Sequence, residues 1–336
     1  MTFYMTRTVW LGLGMTLAAG LLAGNSMLPM KFVKRWQWEN TWLVFSIVSL
    51  VLLPWALAFA LVDGLGALYA SLPASAYAAP LLFGAGWGIA QVLFGLSVAR
   101  LGMALGYAII ISLGAVLGTL VPLFVQNRAV LGTYRGALIL GGVVVMVAGI
   151  VSSSWAGRLR EGNTEVSSTY KRDVIIAVLC GFMAPMLNYA FAFGQPIAEA
   201  AVRMGTSKES AGYAVWPVAL LGGLGPNLAY SLYLLQRNRT WGLFRGGWVR
   251  DGSMGLGMGI IWMGSMSLYG VSSVFLGVLG TSIGWGLFQI FMIMTANLSG
   301  VLTGEWKGAP RAAMLRLAAG LTMLAVATLL MAAGNA

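Results

Sequence analysis

Ten apolar stretches divide this chain from end to end: 8–29, 41–62, 79–99, 101–125, 137–156, 174–194, 212–235, 253–273, 276–298 and 313–333. Each is close to the roughly 20 residues a helix needs to cross the hydrocarbon core of a bilayer. The pattern predicts an all-α integral membrane protein with ten transmembrane helices. Composition agrees, with 59% hydrophobic and only 9% charged residues and a mean hydropathy of +0.84. A soluble domain carries about a quarter charged residues. The first stretch resembles a secretory signal, because Arg7 precedes an apolar run with small residues. Its length and the basic KFVKRW directly after it predict a retained helix.

The charges between the stretches orient them. Loops 1–2, 3–4, 5–6, 7–8 and 9–10 hold fifteen of the twenty Lys and Arg residues; the other side holds Arg7, Arg128, Arg135, Arg203 and Lys208. By the positive-inside rule the basic loops face the cytoplasm and both termini lie outside, in a membrane of the bacterial inner (plasma) type. The net charge of +11 is therefore read as orientation, not as a nucleic-acid surface. There is no histidine, and the single cysteine, Cys180, lies in an apolar run. No Cys/His metal site, internal disulfide or histidine-based catalysis can be built from such a chain. No enzyme activity, metal or cofactor is expected. Most tryptophans sit near predicted span ends, where amphipathic rings belong, whereas Trp87, Trp262 and Trp285 sit near mid-span.

One phrase occurs twice. GAGWGIAQVLFGLSVARLG (84–102) and GIIWMGSMSLYGVSSVFLG (259–277) share seven of nineteen residues without a gap, including Gly84/Gly259, Trp87/Trp262, Gly95/Gly270 and Ser97/Ser272. The copies open spans three and eight, five spans apart, so each half has an odd number of crossings and the second lies upside down relative to the first. This predicts two inverted five-helix repeats, 1–165 and 166–336, forming one transporter domain. Glycine pairs at Gly84/Gly88, Gly114/Gly118, Gly255/Gly259 and Gly280/Gly284 have the spacing that lets helix backbones approach closely. The GLGMG at 255–259 follows no strand and is not a dinucleotide fingerprint. Pro54, Pro122, Pro185, Pro217 and Pro226 are candidate kinks.

KFVKRWQWENTW (31–42), LLPW (52–55) and FGAGWGIAQVLFGLSVARLGMALG (83–106) together resemble the L-rhamnose–proton symporter family, within the drug/metabolite transporter superfamily. CGFMAPMLNYAFAFGQPIAEAA (180–201) and GEW (304–306) extend the resemblance along the chain in order. It implies ten helices in two inverted halves, and a carrier of L-rhamnose or a related monosaccharide coupled to protons. The match weakens in the last three spans. In that family span nine carries an acidic residue four positions before a tryptophan and a histidine shortly after it. Here those positions fall on Thr281 and on apolar or amide residues around Trp285.

A sugar site needs aromatic faces for the C–H side of the ring and amides or hydroxyls for its oxygens, converging at mid-membrane depth. Trp87 and Gln91 share a helix face, as do Trp285 and Gln289. Asn25, Tyr107 and Asn188 complete the candidate substrate set, with Tyr189 and Tyr269 as further aromatic candidates. Any one of these could instead be packing or an inter-helix hydrogen bond. Of nine acidic residues none lies mid-span, and Glu39, Glu199 and Glu305, which match family positions, sit at span ends, where an acid is expected to be a solvated cap or an ion-pair partner. Glu199 and Glu305 are the coupling candidates. Without a mid-span acid, coupling is expected to be weak unless one of them turns inward, whereas the resemblance implies symport with a proton, or sodium. The expected partners are a neutral sugar, the coupling ion and the lipid bilayer. A metabolite or drug exporter, or an uncoupled sugar facilitator, of the same fold is the alternative. A membrane-embedded enzyme lacks histidine and a buried acid pair, and a mere structural subunit has no use for an inverted repeat.

Overall fold

The computed structural model describes residues 2–101, 103–161 and 170–335, with side chains at 2–6, 98, 99, 103, 104, 107 and 161 outside that description. The repeat boundary predicted at 165/166 falls outside the described residues. Regular structure among the described residues is helical throughout, and ten helical spans are long and apolar enough to cross a membrane. The helices are α1 (Thr2–Asn25), α2 (Trp38–Ile47), α3 (Leu53–Leu61), α4 (Leu65–Ser71), α5 (Ser75–Leu101), α6 (Met103–Gln126), α7 (Tyr134–Glu161) and α8 (Tyr170–Met183). They continue with α9 (Met186–Ala192), α10 (Gln195–Arg203), α11 (Lys208–Ala211), α12 (Trp216–Arg237), α13 (Ser253–Phe275), α14 (Gly280–Leu302) and α15 (Arg311–Asn335).

Two predicted spans are not single helices. In span two a π-helical turn, Val48–Leu52, joins α2 to α3 just ahead of Pro54. Proline has no N–H for the carbonyl four residues back and its ring crowds that turn, so the helix widens there. Span six, predicted over 174–194, is two helices, α8 and α9, with a third, α10, directly after it. Pro185 interrupts it after α8, and Gly194 turns the chain before Pro196 starts α10. Pro217 lies in the first turn of α12, while Pro122 and Pro226 stay inside α6 and α12.

The chain forms two compact units, and each draws on both halves of the sequence. The first comprises Met1–Gly24, Leu93–Pro185 and Ser272–Ala336. Lipid tails are as apolar as leucine, so helices associate through close packing rather than burial from water, and small residues set the approach. A methyl on Gly149 of α7 would come within 3.0 Å of the Gly320 carbonyl oxygen, and one on Gly320 of α15 within 2.9 Å of the Gly149 carbonyl oxygen. Around that crossing Met146, Ile150, Leu324, Ala327 and Met331 are fully or almost fully buried, and α14 adds Ile283, Leu287 and Ile290. Gly20 and Gly24 of α1 lie against Phe291–Ala296 of α14.

The second unit comprises Asn25–Val92 and Met186–Val271. The predicted glycine pairs work here: Gly84 abuts the Ala219 carbonyl and Gly88 abuts Gly223, both on α12. Gly255 and Gly259 of α13 face Val44 and Val48. On Gly223, α12 also receives the ring of Trp87.

Candidate functional site

The two tryptophan–glutamine pairs fall in different units and have different surroundings. In the second unit Trp87 is 7% exposed and stacks on Trp262, with ring centroids 5.5 Å apart and planes 23° from parallel. Gln91, one turn along α5, is half-buried and makes no hydrogen bond among the described residues. In the first unit the Trp285 ring lies against Gly118 of α6, where a Cβ would overlap it, and its indole N–H donates to the Gly114 carbonyl at 3.1 Å. Gln289 is 6% exposed, and its carboxamide finds no hydrogen-bond partner among the described residues. A buried polar group without a partner is costly.

Gln289 does not stand alone. The hydroxyls of Ser112 and Thr119 on α6 and of Ser282 on α14 are also buried without a partner among the described residues. Serines and threonines in apolar helices usually bond back to the carbonyl four residues earlier, as Thr16, Ser49 and Ser231 do here. The α6 and α14 pair therefore carries unused hydrogen-bonding capacity in an apolar setting. Sequence reasoning found Gln289 and missed the three hydroxyls, because Ser and Thr are unremarkable in a membrane helix until their bonds are traced.

Asn188 is fully buried and accepts a hydrogen bond from the Tyr269 hydroxyl, so its oxygen is already used inside the second unit. Tyr189, also buried, meets Phe83 edge-on at 5.6 Å. Asn25 closes α1 and is half-buried. Tyr107 is on α6, and its side chain lies outside the described residues. Both coupling candidates are exposed: Glu199 on α10, and Glu305 beyond α14, 3.8 Å from Arg160.

Three acidic residues at span ends are not solvated caps. Glu39 is 3% exposed, Asp173 2% and Asp251 1%. Asp173 is 3.2 Å from Arg100 and 3.7 Å from Arg172. Asp251 accepts backbone N–H bonds from Lys34 (3.1 Å), Arg35 (2.8 Å) and Trp36 (2.9 Å). Each has at least one partner more than seventy residues away along the chain, so position along a hydropathy plot could not show the burial. The run KFVKRWQWENTW is thereby explained as a clamp. Trp36 sends its indole N–H to the Leu243 and Gly246 carbonyls (3.1 and 2.8 Å) and meets Phe244 and Trp248 edge-on. The Asn40 amide donates to the Thr240 carbonyl at 3.1 Å.

A family profile described as L-rhamnose-proton symport protein (RhaT) matches residues 5–336. The chain belongs to this family. It is similar to the L-rhamnose-proton symporters of Escherichia coli (APEC) and of Escherichia coli strain Crooks, at 27% identity over 343 residues in each case. The corresponding protein of Shigella boydii serotype 18 is 26% identical. All three alignments cover 99% of this chain and 100% of the relative. A RhaT family member is a multi-pass membrane transporter, not an enzyme, and this chain has the ten apolar spans of one. Among the described residues no group of three or more His, Cys, Asp or Glu could hold a metal ion.

Proposed function

We propose that this chain carries a small neutral sugar, L-rhamnose or a related monosaccharide, into the cell with a proton, across the bacterial inner membrane. The observation that carries the reading is the unpaired amide of Gln289 one turn from Trp285, in a chain that its family covers from end to end. A sugar hydroxyl can both donate to and accept from a carboxamide, and an indole face suits the C–H side of the ring. Gln91 and Trp87 are the matching pair in the other unit.

Alternating access by two inverted repeats is the accompanying mechanism. Two contacts support the repeat. Trp87 and Trp262 hold the same place in the doubled phrase, and they stack on each other. Residues that a repeat makes equivalent can touch only beside the axis relating the copies. In the first unit Gly149 packs on Leu324 while Gly320 packs on Ser153, so α7 and α15, the last span of each half, pack on each other through a small residue from each helix.

Purified protein in proteoliposomes should exchange radiolabelled L-rhamnose for internal L-rhamnose, and unlabelled monosaccharides should compete according to their likeness to it. Outward movement of an unrelated metabolite, with no sugar exchange, would establish the exporter reading instead.

A further inference from the structure

Among the buried carboxylates Glu39 differs in how its charge is held. Thr240 Oγ1 donates to Glu39 Oε1 at 2.8 Å and Asn238 Nδ2 donates to the same oxygen at 3.0 Å. Among the described residues nothing bonds to Oε2, and no cation pairs with the carboxylate. Asp173 has two arginines and Asp251 has three backbone N–H groups, whereas Glu39 has only neutral donors on one side. The backbone is bent to supply them. Arg239, between Asn238 and Thr240, holds φ at 56°, the only non-glycine residue with positive φ among the described residues. A left-handed residue there turns both flanking side chains onto one oxygen, and strain of this kind persists where the surroundings require it.

The groups around Glu39 are basic but stand off. Lys34 and Arg35 precede it, Arg237, Arg239 and Arg245 lie on the segment that bonds it, and Arg250 follows; all are exposed. Arg237 lies over the Tyr233 ring, 5.8 Å from its centroid, and Arg250 donates to the Phe32 carbonyl. Asp251, the nearest other carboxylate along the clamp, is occupied by backbone donors.

We infer that Glu39 is the proton-binding carboxylate of the transport cycle, and that its neutralisation loosens the clamp between α2 and residues 238–251. The assignment rests on the sugar–proton reading above. A proton taken from water forms an O–H bond at the open Oε2, giving the neutral acid. Oε1 then accepts from Asn238 and Thr240 as an uncharged oxygen, and hydrogen bonds to a neutral acceptor are weaker than those to a carboxylate. Movement of residues 238–251 away from α2 therefore becomes easier in the protonated state, and loss of the proton restores the clamp.

The test compares wild type with Glu39→Gln and Thr240→Val in proteoliposomes, using L-rhamnose. Glu39→Gln should keep counterflow without an ion gradient, and should lose accumulation driven by an imposed proton gradient by about tenfold or more. Thr240→Val should shift the pH at which driven uptake is half-maximal. Driven accumulation by Glu39→Gln equal to wild type would overturn the assignment. Loss of both counterflow and accumulation in Glu39→Gln, with an unshifted pH profile in Thr240→Val, would also overturn it and leave Glu39 as a clamp residue only. Wild type that exchanges the sugar but ignores the gradient overturns the assignment alone; wild type that moves no monosaccharide overturns the proposed function and this assignment with it.

Discussion

The second unit uses its central tryptophan against another tryptophan, and the first uses its own against glycine backbone. Trp87 has Trp262 across one face, and Gly223 leaves room for the rest of the ring. Trp285 has its N–H committed to Gly114 and its ring over Gly118. The same residue type, one turn from the same amide, is thus held by stacking in one place and by a hydrogen bond and a groove in the other. Polar capacity follows the difference. Among the described residues the α6 and α14 pair carries Ser112, Thr119, Ser282 and Gln289 without a hydrogen-bond partner, while α5 and α13 carry Gln91 and Ser267. Spacing alone makes the two pairs look interchangeable, and packing separates them.

The largest expected effect comes from closing the glycine gaps. At Gly84 a Cβ would overlap the Ala219 carbonyl, which is helix backbone and has nowhere to go. At Gly118 it would meet the Trp285 indole, a side chain that can swing aside. Gly84→Val should abolish recoverable folded protein, whereas Gly118→Val should leave protein with a lowered thermal midpoint and weakened sugar binding. Size-exclusion profiles and thermal midpoints of detergent-purified variants check this. Equal loss at both sites would mean that Trp285 is as fixed as backbone.

Next in size are the tryptophans. Truncating a buried Trp to Ala in a soluble core costs about 3–5 kcal/mol, and in lipid the transfer part of that cost is reduced. Both Trp87→Ala and Trp285→Ala should destabilise, but Trp285→Ala should weaken rhamnose binding the more. It stands beside the unpaired amide and hydroxyls, whereas removing Trp87 mainly unstacks Trp262. Isothermal titration of the two purified variants compares them. Greater loss of binding with Trp87→Ala would move the site to the second unit.

Much of this fold was legible in the sequence, and the failures have physical causes. Hydropathy located all ten spans because the bilayer imposes a length on every one of them. It could not see that Pro185 and Gly194 break span six, since a broken apolar run is as apolar as an intact one. Glycine spacing at Gly84/Gly88 and Gly255/Gly259 pointed to close approach, and the helices do approach there. The acidic residues went the other way. A carboxylate at a span end is ordinarily solvated, and only the return of the distant segment 238–251 buries Glu39 and Asp251. One local sign existed: Glu39 stands between Trp38 and Asn40 in a chain with nine acids, an odd place for a simple cap.

A smaller effect separates the glutamines. Losing one buried hydrogen bond to ligand costs on the order of 1 kcal/mol, a several-fold change in affinity. Gln289→Ala should show that loss for rhamnose, less than Trp285→Ala, while it removes an unpaired buried amide and so leaves the thermal midpoint unchanged or raised. Gln91 is half-buried, so Gln91→Ala should change the midpoint little; its effect on affinity tests the pair in the second unit by itself. Affinity unchanged in both variants would make these residues packing and move the site elsewhere.

The smallest effect is expected at the two exposed acids, one in each unit. Glu305 faces Arg160 at 3.8 Å, with the side chains 38% and 22% exposed, and exposed pairs of this kind contribute about 0.2–1 kcal/mol before salt screens them. Arg160 keeps a second partner in any case, because its guanidinium lies 4.8 Å from the centre of the Trp306 ring. Glu199 has no ion-pair or hydrogen-bond partner among the described residues. Glu305→Gln should therefore lower the thermal midpoint slightly at low salt and not at high salt, and Glu199→Gln should leave it alone. Neither should change the proton movement that accompanies rhamnose entry, read with a pH electrode in a lightly buffered cell suspension. If Glu199→Gln abolishes that signal while rhamnose exchange survives, the proton is carried on α10, where the sequence first placed a candidate, and the buried carboxylate on α2 is only a clamp.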